Sequence, residues 1–121
     1  MKKVQFETYQ RIYRYTIAIV TYVKELAAVS HSNVICNQLL RSGTSVAANI
    51  IEARAASSKK DYINFFNHAL KSANETKLWL AIIRDTEHQQ RDRVKPLLQE
   101  TTEIANILAA SILTMKKKRQ L

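Results

Sequence analysis

The chain is poor in the residues that punctuate folded chains. One glycine and one proline serve all 121 residues, where average usage would supply about 7% and 5%. So few turn formers exclude a β-rich sandwich or barrel, which needs a turn every few residues. A single cysteine, Cys36, excludes an internal disulfide and a cysteine-based metal cluster. It is expected as a small buried thiol on a helix, at home in a reducing cytoplasm. Apolar runs such as Ile17–Val20 fall far short of a membrane span. After the Met-Lys-Lys start, Glu7, Gln10, Arg11 and Arg14 interrupt any hydrophobic stretch of signal-peptide type. Acidic residues are also scarce, 10 against 19 Lys and Arg, which leaves a net charge of +9.

What is abundant points one way. Ala, Leu, Glu, Gln, Lys and Arg lose little side-chain freedom in a helix, and hydrophobic residues make up 46% of the chain. The length suits one domain over residues 1–121, all-α, with a core large enough to fold around. Four periodic segments are separated by short polar breaks. The first runs from about Val4 to Val29 and carries two apolar stripes at steps of three and four. Phe6, Tyr9, Tyr13, Ile17, Val20 and Lys24 read as the core stripe. Ile12, Tyr15, Ile19, Tyr22 and Leu26 are then left over as a subunit interface. Ser30 to Asn33 offers caps for a second helix from about Val34 to Ala56, with exposed His31 in the turn. Gly43 inside that helix implies close approach of a neighbouring backbone. Ser58 and Asp61 have capping-box spacing before a third helix, Lys59 to Thr86, whose Trp79 is expected at a helix seam. A polar connection, Glu87 to Arg91, precedes a fourth helix with Pro96 in its first turn. Short connections between four long amphipathic helices predict an antiparallel up-down-up-down four-helix bundle. Lys116, Lys117, Lys118 and Arg119 form a basic tail, 116–121, after the last core residue, Met115.

The polar pattern is the more informative one. Arg41, Ser45, Asn49 and Glu52 step by four, four and three along one face of the second helix. Asn64, His68, Ser72 and Glu75 repeat those steps on the third. Folding back at the turn near residue 58 sets Arg41 opposite Glu75, Ser45 opposite Ser72, Asn49 opposite His68 and Glu52 opposite Asn64. Such a seam can be a hydrogen-bonded network fixing helix register, a binding site, or an acid–base pair of Glu and His. Di-iron bundles require Glu-x-x-His motifs, and none occurs here; nor does a phosphate loop, a zinc-ligand cluster or a Ser-His-Asp order. The register reading is favoured, with no catalytic residue, cofactor or metal expected.

At these same residues the chain resembles a known family. Gln38-Leu39-Leu40-Arg41, Ser45-Val46, Asn49-Ile50, Glu52-Ala53, and then Phe66, Ala69, Ser72 and Glu75 are similar to the signature of small four-helix-bundle proteins encoded in intervening sequences of bacterial 23S ribosomal RNA genes. Val46 stands where that pattern has Ile, Ala53 where it has Gly, and Lys71 where a Gly commonly precedes the Ser. The resemblance implies an antiparallel bundle assembled as a ring-like homo-oligomer, a pentamer, with no catalytic activity attached. It also implies distant similarity to the basic barrel-shaped accessory protein of diversity-generating retroelements, which binds nucleic acid and a reverse transcriptase.

Charge and resemblance together predict a non-enzymatic homo-oligomer in the cytoplasm. It would bind RNA, DNA or a protein that handles them, with Lys116, Lys117, Lys118 and Arg119 as candidate contacts. The rival is an oligomeric interaction scaffold whose charge only keeps it soluble. The two differ in one observable: whether Lys and Arg converge on one face of the fold. A third reading, an enzyme using Glu75 or Glu52, needs a substrate pocket at the seam.

Overall fold

A computed structural model of the chain describes the backbone of residues 2–120 and the side chains of residues 6–118. Four α-helices run in order: α1 Lys2–Val29, α2 Asn33–Arg54, α3 Lys59–Thr86 and α4 Arg91–Gln120. A short 3-10 turn, His88–Gln90, leads into α4. No strand occurs among the described residues.

Capping residues set the helix starts. The Ile35 amide donates to Ser32 Oγ at 3.3 Å, and the Asp61 amide donates to Ser58 Oγ at 3.1 Å. The reciprocal half of the second capping box is not made, because the Asp61 carboxylate accepts from Ser57 Oγ instead. Pro96 is the sixth residue of α4 and so lies in its second turn. The 3-10 turn passes directly into α4 and starts it earlier than the sequence led us to expect. Residues 116–120, expected as a tail, continue that helix.

Consecutive helices are antiparallel neighbours, and α4 closes back on α1. The Arg54 guanidinium lies 4.7 Å above the Tyr9 ring, joining the end of α2 to the start of α1. Arg93 pairs with Glu25 at the opposite end, across α4 and α1. The buried stripes keep a step of three and four: Leu39, Gly43, Val46, Ile50 and Ala53 on α2; Phe66, Ala69, Ala73, Thr76, Leu80 and Ile83 on α3. This spacing is that of bundles whose helices cross at a shallow angle.

On α1 the stripe read from the sequence as a subunit interface is the one that faces the core. The stripe read as core is half-buried at Tyr9 and Val20 and otherwise turned outward. Ile12, Tyr15, Ile19, Tyr22 and Leu26 are buried in the core of the chain itself, whereas Phe6 (59%), Tyr13 (66%) and Ile17 (49%) are exposed. The inward stripe is the one with an unbroken three-four alternation and no charged member. The outward stripe breaks that alternation and ends at Lys24. A lysine head would have had to shed its water inside the core. Gly43 serves α1 as well, but through a side chain rather than a backbone. A Cβ there would lie 2.7 Å from Ile19 Cγ2, and that methyl sits on a β-branched, stiff side chain that cannot swing away.

Candidate functional site

The expected polar seam is real only at one rung. Arg41 Nη2 pairs with Glu75 Oε2, and the guanidinium also donates to Gln38 Oε1 at 2.9 and 3.1 Å. Trp79, half-buried at the α2–α3 seam, donates its indole N–H to the same Glu75 oxygen at 3.3 Å. The other rungs do not close. Ser45 Oγ donates to the Arg41 carbonyl at 2.6 Å, and Asn49 Nδ2 to the Ser45 carbonyl at 2.8 Å, both within α2. Among the described residues no hydrogen bond joins Ser45 to Ser72, Asn49 to His68, or Glu52 to Asn64. Glu52, Asn64 and His68 are exposed, so water satisfies them and the chain needs no partner there. No group of three His, Cys, Asp or Glu side chains converges among the described residues.

The buried polar layer lies one step further in. Ser42 and Thr76 are fully buried, their hydroxyls 2.9 Å apart across α2 and α3. Tyr15 Oη and Thr101 Oγ1 lie 2.7 Å apart across α1 and α4. Burial pushes the Tyr15 phenol up to about 12, partly countered by hydrogen bonds with Thr101 and Thr76. Side chains from all four helices therefore meet in one polar layer at mid-bundle. Ser42, Thr76 and Thr101 carry no sequence signal apart from standing at positions where the apolar alternation calls for a hydrophobic residue.

Charge is distributed unevenly along the bundle. The end built from residues 2–10, 49–66 and 110–120 holds nine cations, at Lys2, Lys3, Arg54, Lys59, Lys60 and 116–119. Glu7, Glu52 and Asp61 are its only carboxylates, so this end carries six of the nine net charges. Arg54, Lys59, Lys60, Lys116, Lys117 and Lys118 are all exposed. The side chains of Lys2, Lys3 and Arg119 lie outside the described residues. The ion pairs lie elsewhere: Arg11 with Glu100 (2.7 Å) and Glu103 (3.0 Å), Arg41 with Glu75, Arg84 with Asp85, and Arg93 with Glu25. Those carboxylates raise the Arg11 pKa, and Arg84 lowers that of Asp85. At the basic pole no described cation has a carboxylate within ion-pair distance, and only Arg54 is occupied, by the Tyr9 ring.

Fold and signature agree with known relatives. Residues 4–110 match the 23S rRNA-intervening sequence protein family. The chain belongs to that family. The crystal structure of a family protein of unknown function from Bacteroides thetaiotaomicron, assigned to the S23 ribosomal protein family, has a TM-score of 0.82 at 38% identity. That similarity covers 87% of this chain and 97% of the other. No curated protein matches. Departures from the intervening-sequence signature fit the packing. Ala53 keeps a small residue at a buried position, Val46 fills the core, and Lys71 points to solvent. No described helix of this family member is long and apolar enough to cross a membrane.

Proposed function

We propose that this protein is a non-enzymatic homo-oligomer of the cytoplasm that binds RNA or DNA through its basic pole. The observation that carries the reading is the convergence of cations at one end of the bundle with only three carboxylates beside them, none within ion-pair distance of a described cation. Unpaired, solvated lysines gain most from phosphate, because binding releases the counterions condensed on the nucleic acid. Charges already paired within the protein, as at Arg11 and Arg93, have less to gain. No base-reading motif accompanies the pole, so recognition is of backbone rather than sequence. A ring of subunits, a pentamer by family resemblance, repeats the pole around an axis. Several weak patches engaged together raise affinity by about 10²–10⁴.

Binding to mixed-sequence RNA and duplex DNA across a salt series tests this. Affinity should fall steeply with salt, with a log–log slope of about −0.9 for each duplex phosphate neutralised. Replacing Lys116, Lys117 and Lys118 with Gln should flatten that slope and leave the helices intact, since all three are exposed. Lys95→Gln, at the opposite end, should leave it unchanged. No binding of either nucleic acid at about 0.15 M salt rejects the reading and favours the scaffold.

A further inference from the structure

One feature of the basic pole is not accounted for by phosphate contacts. A cavity of about 380 Å³ opens there between the first turns of α1 and the last turns of α4. Tyr9, Phe66, Ile107 and Met115 supply apolar walls, and Thr8, Ser111 and Thr114 add three aliphatic hydroxyls. Tyr62 stacks on Phe66 with ring centroids 4.9 Å apart, stiffening the α3 side. Among the described residues, Lys118 is the one charged residue in the wall, and no carboxylate lines it. A shallow neighbouring groove shares Tyr62 and Met115 with the cavity and adds Arg54 and Lys59. An apolar chamber with one cation in its wall and two more beside it is complementary to a molecule with an apolar body and one negative head. The volume lies within the range of small-ligand sites, about 300–1,000 Å³.

We propose that this cavity binds a monoanionic amphiphile, an acyl carboxylate. Its chain lies against Phe66, Ile107 and Met115, and its carboxylate is held at Lys118. The chain contributes affinity by leaving water, about fourfold for each methylene buried. The carboxylate contributes orientation and a few-fold in affinity, the usual reach of a solvent-accessible ion pair. This site does not depend on the nucleic-acid reading, because its walls are mainly apolar and recessed whereas phosphate needs only the exposed lysines.

Calorimetric titration of the intact protein with decanoate, kept below its micelle concentration, tests the assignment. One saturable site per chain is expected, with octanoate weaker by about tenfold or more. Decanol should bind a few-fold more weakly than decanoate, and Lys118→Ala should abolish that difference while leaving decanol binding in place. Ser111→Phe and Thr8→Phe, which fill the cavity from opposite walls, should each remove decanoate binding with helicity retained. If either filled protein loses its helices, the other, together with the octanoate and Lys118→Ala ratios, decides the matter. Absence of saturable decanoate binding overturns the proposal. So does binding that survives both filled variants, which would place decanoate on the general basic surface. Filled variants that dissociate a native oligomer, with no decanoate bound by the parent, would assign the cavity to a neighbouring copy and overturn it too.

Discussion

Tyr15 is the residue whose surroundings translate most directly into a measurable property. Its phenol is buried beside Thr101 and holds its proton up to about pH 12, against 10.0 in the free side chain. The unfolded chain ionises this group near pH 10 while the folded chain does not. Stability supplied by the neutral phenol is therefore complete below pH 10 and is lost as pH rises from about 10 to 12. The loss from Tyr15 is about 2–3 kcal/mol. Tyr22, similarly pushed up to about 12 mainly by burial, adds to the same window. Urea unfolding at a series of alkaline pH values should show the decline. Tyr15→Phe should cost about 1 kcal/mol at neutral pH, the worth of one hydrogen bond, and should make the alkaline decline visibly shallower. A decline equal to that of the parent would mean that the phenol is not protected. Gly43 is the complementary case, in which the absence of a side chain matters. Residue propensity alone marks it as a defect in α2, and only the Ile19 methyl seated against its Cα explains it.

Among the elements, the α2–α3 hairpin shows how far a register argument reaches. Counting outward from a turn near residue 58 places Arg41 against Glu75, and the two do meet. The same count pairs the three remaining rungs, where the side chains instead bond their own helix or face water. Counting fixes which backbone positions are level with one another. It does not fix how far around the helix each side chain lies, and these rungs sit outside the contact. The Arg41–Glu75 pair itself is substantially exposed, with side-chain exposures of 54% and 34%. A double-mutant cycle with Arg41→Ala and Glu75→Ala should thus return a coupling of only about 0.2–1 kcal/mol. Melts of the two single variants and the double variant measure it. Additive losses would show that the pair contributes nothing, and a coupling well beyond that range would place the pair in a drier setting than its exposure implies.

At the scale of the whole molecule, α1 presents an uncovered apolar face. Phe6, Tyr13 and Ile17 leave an apolar face in water that a lone bundle has no means of burying. A second copy is the partner the family resemblance implies, and the basic poles would then be brought together by symmetry. Light scattering should return a multiple of 13.9 kDa at micromolar concentration. Tyr13→Asp combined with Ile17→Asp should release the 13.9 kDa chain with its helicity intact, because both residues are exposed in the single chain. A parent protein that is already monomeric would remove the assembly from the proposed function and leave the basic pole without avidity.

Much of this protein is legible in its sequence. The shortage of glycine and proline, the three-four periodicity and the caps offered by Ser30 to Asn33 and by Ser58 determined four helices and, apart from the two ends of α4, their limits within a few residues, because these depend on neighbours along the chain. The family signature around Arg41, Asn49, Ser72 and Glu75 was readable for the same reason. The choice between the two stripes of α1 was decided only by tertiary structure. Both stripes have helical period, and which one turns inward depends on what α2 and α4 present to it. The buried Ser42, Thr76 and Thr101 hydroxyls were equally hidden. Each looks like an ordinary polar helix residue until helices distant in sequence supply the other half of its environment. The basic pole followed the same rule: the sequence contains the charges, but only the antiparallel folding of four helices brings residues 2–10, 49–66 and 110–120 to one end.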